Sequence, residues 1–198
     1  MVAMSIDNMA KFGTPQAVKE LLDLFYNLGY RNLDTARGYS PHAPGTSEPL
    51  RGAVDAGKRF NISTKIYPYR DHPHSGAKVE QNINESLGAL NVAQVDIEYL
   101  HVPDRTTPFE ETCESMDKSY SEGKFRRFGL SNHTAEEVEK IVQICEARGL
   151  VNPSVYQGQY NAIVRGGEVE FFPVLRKHGI AFFAWRYVVS EPRQNKYS

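Results

Sequence analysis

The chain has 198 residues, 40% of them hydrophobic and 11% aromatic, which is enough apolar material for a substantial core in a single domain over residues 1–198. Its 23 basic and 24 acidic residues leave a net charge of -1, which argues against a large uniform basic surface for a nucleic-acid backbone. No apolar run reaches the roughly 20 residues that span a bilayer, and the opening MVAMSIDNMAKFG lacks the charged-then-apolar layout of a signal peptide, so a cytoplasmic location is expected.

MVAMSI reads as a first strand. Residues 15–28 then place Val18, Leu21, Leu22, Phe25 and Leu28 at helical spacing, with Thr14 capping ahead of Pro15 and Gly29 as the stop. YRNLD is a strand, and the spacing predicts a helix over 47–57 before the strand RFNISTK. A helix over 76–90 carries Val79, Ile83, Leu87 and Leu90 on one face. VAQVDIEYLH, KFRRFGLSN, PSVYQ and IAFFAW continue as strands. Between them PFEETCESMDKSYSEG, TAEEVEKIVQICEARG and GEVEFFPVLRKHG read as helices. Cys113 and Cys145 fall on helices with no metal-ligand spacing, so both are expected to be reduced structural thiols, and no metal is expected.

Seven strands alternating with six helices predict a parallel sheet, because parallel neighbours need crossover connections. A dinucleotide-binding doubly wound sheet normally carries a Gly-rich turn after its first strand, and Met4–Thr14 contains no GxGxxG. A β/α barrel gathers its chemistry at the carboxyl ends of several strands. Here five consecutive strand ends finish in LD, TK, LH, LSN and YQ, at Asp34, Lys65, His101, Asn132 and Gln157. Singly, Asp34 reads as a turn residue, Lys65 as a solvated strand end, His101 as a partly buried histidine and Tyr39 as packing. Together they would converge on one barrel mouth.

The stretches LDTARGYS with SEPLRG, STK, YLHVPD, GKFRRFGLSN and VYQGQYNAIVR with FFPVLRKHGI resemble the aldo-keto reductases, and within them the aflatoxin-aldehyde-reductase branch. The likeness runs in order over residues 15–186. It implies an α/β fold of the (β/α)8 TIM-barrel type and a catalytic tetrad of Asp34, Tyr39, Lys65 and His101. It also implies NADPH as cofactor, with Ser131, Asn132 and Gln157 on the nicotinamide carboxamide and Trp185 stacked on its ring. Family members continue through an eighth strand whose loop grips the 2′-phosphate, whereas this sequence stops at Ser198. The resemblance therefore implies an incomplete barrel of about seven strands and six helices, without the eighth β/α unit. Arg186 stands where a pyrophosphate-contacting loop is expected, and with Arg193 or Lys196 would take over part of that grip.

Carbonyl reduction needs a hydride donor, which no side chain supplies, and a proton donor for the oxygen. Tyr39 is the expected proton donor, Lys65 the charge that favours its phenolate, and Asp34 the partner that neutralises Lys65. His101 would hydrogen-bond the substrate oxygen. Three readings follow. One is NADPH-dependent reduction of an aldehyde or ketone. Another is a cofactor-independent dehydratase, isomerase, epimerase or cyclase using the same acid-base cluster. The third is a non-catalytic binding remnant. The expected partners are a small carbonyl compound and a second copy of the chain covering the open barrel edge, with no nucleic acid and no membrane. Tyr67, Tyr69, Phe109 and Tyr160 could wall an aromatic substrate. His42, His72 and His74 read as solvated loop residues, and Arg37 and Arg105 as surface ion pairs.

Overall fold

The computed structural model describes residues 2–3, 13–40, 45–67 and 73–185. In chain order these form β1 (Val2–Ala3), α1 (Pro15–Asn27), β2 (Asn32–Asp34), α2 (Ser47–Gly52), β3 (Asn61–Lys65), α3 (Gly76–Leu90), β4 (Val95–Leu100), α4 (Phe109–Ser121), β5 (Phe125–Ser131), α5 (Ala135–Arg148), β6 (Pro153–Gln159), α6 (Gly167–Lys177) and β7 (Ala181–Trp185). The strands make one parallel sheet in the order β1 to β7. Sequential parallel order with a helical crossover at each step is the pattern of a (β/α)8 barrel, of which these elements form a part.

The helices begin and end where local chemistry dictates. Thr14 accepts a hydrogen bond from the Ala17 amide, and Pro15 follows it at the first helical position. Thr134 and Glu137 form a reciprocal capping box on α5, which stops at Gly149 in the left-handed region. The helix expected over 47–57 is broken in two. It ends at Gly52, and a separate 3₁₀ turn follows at Ala56–Lys58. Asp55 between them adopts a left-handed φ of 50°, which no α-helix continues through. Gly52 itself lies against the carboxyl end of α3, where an added Cβ would stand 2.1 Å from the Ala89 carbonyl oxygen.

Strand alternation divides the side chains between two faces. The outward face of the sheet, with Leu33, Ile62, Leu100, Phe128, Leu130 and Tyr156, packs against Val18, Leu22, Val79, Ile83, Met116, Val138, Ile141 and Leu175 of the helices. Each fully buried side chain of this kind contributes about 1.5–3 kcal/mol through water release. The inward face holds a second cluster of Ile97, Tyr99 and Val155 with Phe183. Gly129 makes room for it, since a Cβ there would meet the Tyr99 ring at 2.3 Å.

Curvature follows from one contact. β2 and β6 are four strand spacings apart, about 19 Å in a flat sheet, yet Gln157 Nε2 on β6 donates to Asp34 Oδ1 on β2 at 2.9 Å. The sheet is therefore curled, with the inward face enclosed.

Cys113 and Cys145 are buried free thiols on α4 and α5 that hydrogen-bond each other. Among the described residues no helix is long and apolar enough to cross a membrane, and no group of three or more His, Cys, Asp and Glu is placed to hold a metal ion. His74, expected in a solvated loop, is instead buried at 1% exposure. Its amide donates to Asp104 and its carbonyl accepts from Thr112, which pull the turn onto α4. Asp104 is partly desolvated, but hydrogen bonds from Thr106, Thr107 and the His74 amide outweigh that and hold its carboxyl below the usual range. His42 and His72 lie outside the described residues. Burial pushes His74 and His133 down to about 4.

Three outcomes are expected. Gly129→Ala should lose about 1–3 kcal/mol in urea unfolding through overpacking against Tyr99. Gly88→Ala, in a helix with open space at the new methyl, should gain about 0.5–1 kcal/mol. As pH falls from the ordinary histidine value of 6.5 towards 4, the unfolded chain binds protons at His74 and His133 before the folded one does. Stability contributed by these neutral rings is present above 6.5 and lost across that window. The pair His74→Gln and His133→Gln should flatten this acid limb, measured as urea midpoint against pH.

Candidate active site

Four of the expected residues meet at the carboxyl end of the sheet. Asp34 closes β2, Lys65 closes β3, His101 follows β4, and Tyr39 sits on the loop between β2 and α2. Asp34 is in register with Ser63, two residues before Lys65, so Asp34 and Lys65 project to the same inner face one step apart. Lys65 Nζ donates to Asp34 Oδ2 at 2.7 Å and to the Thr35 carbonyl at 2.8 Å, and both charged side chains have 0% exposure. Burial alone would lower the Lys65 pKa, but the Asp34 carboxylate and the Tyr39 phenol, each also hydrogen-bonded to it, raise it above the usual value. The ammonium is thus kept charged without water.

Tyr39 is half-buried, with its amide tied back to the Ala36 carbonyl. Lys65 Nζ lies 4.7 Å from the Tyr39 ring centroid. On the other side, Tyr39 and His101 meet edge to face with centroids 5.8 Å apart. Burial, and then the Lys65 charge, bring the His101 pKa down to about 4, so its imidazole is neutral at pH 7. His101 Nδ1 is buried with no hydrogen-bond partner among the described residues.

The neighbouring strands continue the rim. Ser131 ends β5, is buried, and is in register with Gln157 on β6. Gln157 is in register with Phe183 on β7, and Gln159 with Trp185, which is half-buried at the end of β7. Asn132 adopts a left-handed φ of 61°, a conformation Asn tolerates better than most residues. That turns its amide back to donate to the His101 carbonyl at 2.8 Å and to Ser131 Oγ at 3.1 Å. Asn132 therefore fixes the backbone that carries His101, and Gln157 fixes the free oxygen of Asp34. Arg186, Arg193, Lys196 and Tyr69 lie outside the described residues.

The aromatic wall is not assembled by Phe109 and Tyr160. Tyr160 donates to Glu168 and packs on Phe172 and Phe182, while Phe109 starts α4 and packs against the core beside Lys140. Phe109 also lines a concavity of about 550 Å³ with Arg105, Thr107, Glu110, Glu137 and Lys140, which contains none of the four residues above. Arg105 and Arg37, expected to pair at the surface, form ion pairs with Glu137 and Glu85 respectively.

A polar layer behind the sheet was not anticipated from the sequence. Arg51 and Glu48 of α2 are buried at 2% and 1% exposure, and Glu98 of β4 at 1%. Glu48 accepts from Thr64 Oγ1 at 2.6 Å, and burial raises its carboxyl pKa. Burial, reinforced by Glu48, raises Glu98 far more, and neither of its oxygens has a hydrogen-bond partner among the described residues. Ser47 and Arg51 stand at i and i+4 on α2, a spacing that could have signalled this arrangement. Their charged and polar character made the face read as solvent-exposed.

The sequence matches the aldo/keto reductase family over residues 3–197. It is 38% identical over 178 residues to human aflatoxin B1 aldehyde reductase member 2, covering 87% of this chain and 49% of that protein. It is 36% identical over 189 residues to oxidoreductase sirO of Leptosphaeria maculans, covering 89% of this chain and 56% of the other. Aldo-keto reductase pigE of Monascus ruber is 37% identical over 177 residues, 84% of this chain and 51% of its own. The chain spans about half the length of these curated relatives. With the family match running almost from end to end and a sequentially ordered parallel sheet beneath it, this chain belongs to the aldo/keto reductase family.

Proposed function

We propose that this chain reduces the carbonyl group of a small aldehyde or ketone at the Asp34, Tyr39, Lys65 and His101 cluster, with NADPH as the reductant. The observation that carries this reading is the fully buried Lys65 and Asp34 pair placed against the Tyr39 phenol, beside a neutral histidine. Relatives named as aldehyde reductases support an aldehyde substrate.

The chemistry of the rim suits a nicotinamide. Ser131, Asn132 and Gln157 supply a hydroxyl and two amides within adjacent strand ends, which match the donor and acceptor pattern of a carboxamide. Trp185 supplies a flat aromatic face one step further along the rim. When bound, NADPH supplies the hydride.

The residues of the chain do the rest. The neutral His101 ring offers an N–H to the substrate oxygen and adds no charge that would compete with Lys65. As negative charge develops on that oxygen, the Tyr39 hydroxyl passes its proton to it. The phenolate left behind is stabilised by the adjacent Lys65 ammonium. Asp34 holds that ammonium in one position and keeps it from being an uncompensated buried charge.

Tyr39→Phe should lower kcat/KM for NADPH-dependent aldehyde reduction by about 10² to 10⁴-fold, the usual contribution of a positioned general acid, while far-UV circular dichroism stays unchanged. Unimpaired turnover in that variant would remove Tyr39 from the mechanism. Lys65→Met should both abolish turnover and destabilise the fold by about 3–5 kcal/mol, because it leaves Asp34 buried and unpaired. The chain has a single tryptophan, so its emission reports Trp185 directly. NADPH should quench that emission saturably in the unmodified protein and in Tyr39→Phe. No quenching at millimolar NADPH would overturn the cofactor assignment.

A further inference from the structure

The Lys65 ammonium has a different kind of neighbour on each side of its strand. On the β2 side it donates to Asp34 Oδ2 at 2.7 Å and to the Thr35 carbonyl at 2.8 Å. On the β4 side it lies over the ring of Tyr99, with Nζ 5.5 Å from the centroid, and the Tyr39 ring stands 4.7 Å from the same nitrogen. Both distances fall within the roughly 6 Å at which a cation is drawn to the face of an aromatic ring. Lys65 and Tyr99 are register partners on neighbouring parallel strands, so strand pairing itself sets the ring beside the lysine.

The next strand decides where that ring lies. Gly129 on β5 is in register with Tyr99, and a Cβ there would stand 2.3 and 2.5 Å from two carbons of the ring. The same level of the inner face continues to Val155 on β6 and Ala181 on β7. A lysine, an aromatic ring, a bare backbone and two small apolar side chains thus succeed one another across the sheet. Tyr99 packs with Ile97 and Val155 and is 0% exposed. Unlike the half-buried Tyr39, it offers no surface to a carbonyl compound at the rim. Its hydroxyl is buried with no hydrogen-bond partner among the described residues, and burial holds the phenol well above its usual pKa, so it stays neutral. The ring face, and not the hydroxyl, is what meets Lys65.

We infer that Tyr99 is a positioning residue of this site, whose ring, seated against Gly129, holds the Lys65 ammonium from the β4 side and keeps it in place while the Tyr39 phenolate forms. The inference deepens the reductase reading above, and its kinetic test rests on that reading. An ammonium tied from one side alone is drawn towards Asp34 and Thr35. The ring supplies an opposing attraction from β4 without a second buried carboxylate, whose desolvation would be costly. A shift of about 1 Å in a group that acts at the reacting centre is enough to slow turnover by up to about 10²-fold.

The test varies the electron density of the ring at nearly constant shape. Tyr99→Phe keeps the face and removes the unpartnered hydroxyl, and 4-fluoro-, 3,5-difluoro- and 3,4,5-trifluorophenylalanine at position 99 then weaken the face in steps. In the full chain with NADPH and a small aldehyde, kcat should fall stepwise, by about three- to tenfold from Tyr99→Phe to the trifluorinated ring, as the cation–π attraction is lost. KM for the aldehyde should change little, because Tyr99 does not touch the substrate. Tyr99→Leu, which keeps apolar bulk without the face, should lower kcat about tenfold, and Tyr99→Phe should restore it.

A second readout needs no turnover. The urea midpoint should fall by about 0.3–0.7 M along the fluorinated series. That fall should vanish in the double variant Asp34→Asn, Lys65→Met, which removes the cation and leaves no unpaired carboxylate. A kcat indifferent to fluorination, or a midpoint that falls equally in both backgrounds, would mean that the ring only packs, and would overturn the inference. Should the double variant fail to fold, the slope of kcat against fluorination decides by itself. An inactive parent chain would sink the reductase reading, while a midpoint that responds to fluorination only when Lys65 is present would still establish that Tyr99 holds the ammonium.

Discussion

Asp34 is the residue on which both the shape and the chemistry of this protein converge. One of its oxygens accepts from Lys65 on the adjacent strand, and the other from Gln157 four strands away. The first contact keeps an ammonium charged in a place without water. The second is possible only if the sheet curls, since a flat sheet would hold β2 and β6 about 19 Å apart. A carboxylate so placed could not be removed without leaving a buried cation and a buried amide unsatisfied together. Electrostatic need and sheet curvature thus reinforce each other.

The inner and outer faces of the sheet solve different problems. Outside, a continuous apolar layer joins the strands to the helices and supplies the bulk of the stabilisation. Inside, a small cluster around Tyr99 fills the floor, made possible by the missing side chain of Gly129. Buried polar groups flank the sheet in two places. One is the rim, where Asn132 holds Ser131 and the His101 backbone and Gln157 holds Asp34. The other is the layer between α2 and the sheet, where Thr64 on β3 anchors Glu48 and Ser47 anchors Arg51. Because strand residues alternate, Lys65 points into the site while its neighbour Thr64 points back to that layer. Adjacent residues of one strand therefore connect the reactive face to its support.

Asn132 illustrates how the rim is held. Its left-handed backbone would be costly for most residues, and the return is a side chain turned back onto the carbonyl of His101. Strand β5 thereby fixes the residue that follows β4. The same economy recurs at His74, where one turn is drawn inward by Asp104 and Thr112 and a histidine is sequestered in its neutral form.

By itself the sequence determined the alternation of strands and helices, the parallel order, and the polar residues at five successive strand ends. Those features depend on local periodicity, capping and chain direction, which are properties of neighbours along the chain. It also marked Asp34, Tyr39, Lys65 and His101 as a set, because each sits next to a strand end and strand ends meet in a barrel. The break of the helix after Gly52 was hidden, since nothing in the helical spacing of 47–57 marks Asp55 for the left-handed region. The burial of His74 was hidden too, behind flanking residues that mark a loop. Arg51, Glu48 and Glu98 read as an ordinary solvated face because composition alone assigns charge to the surface. Only the tertiary structure decided otherwise, by setting α2 against β3, where Glu48 accepts from Thr64, so that these groups lost their water.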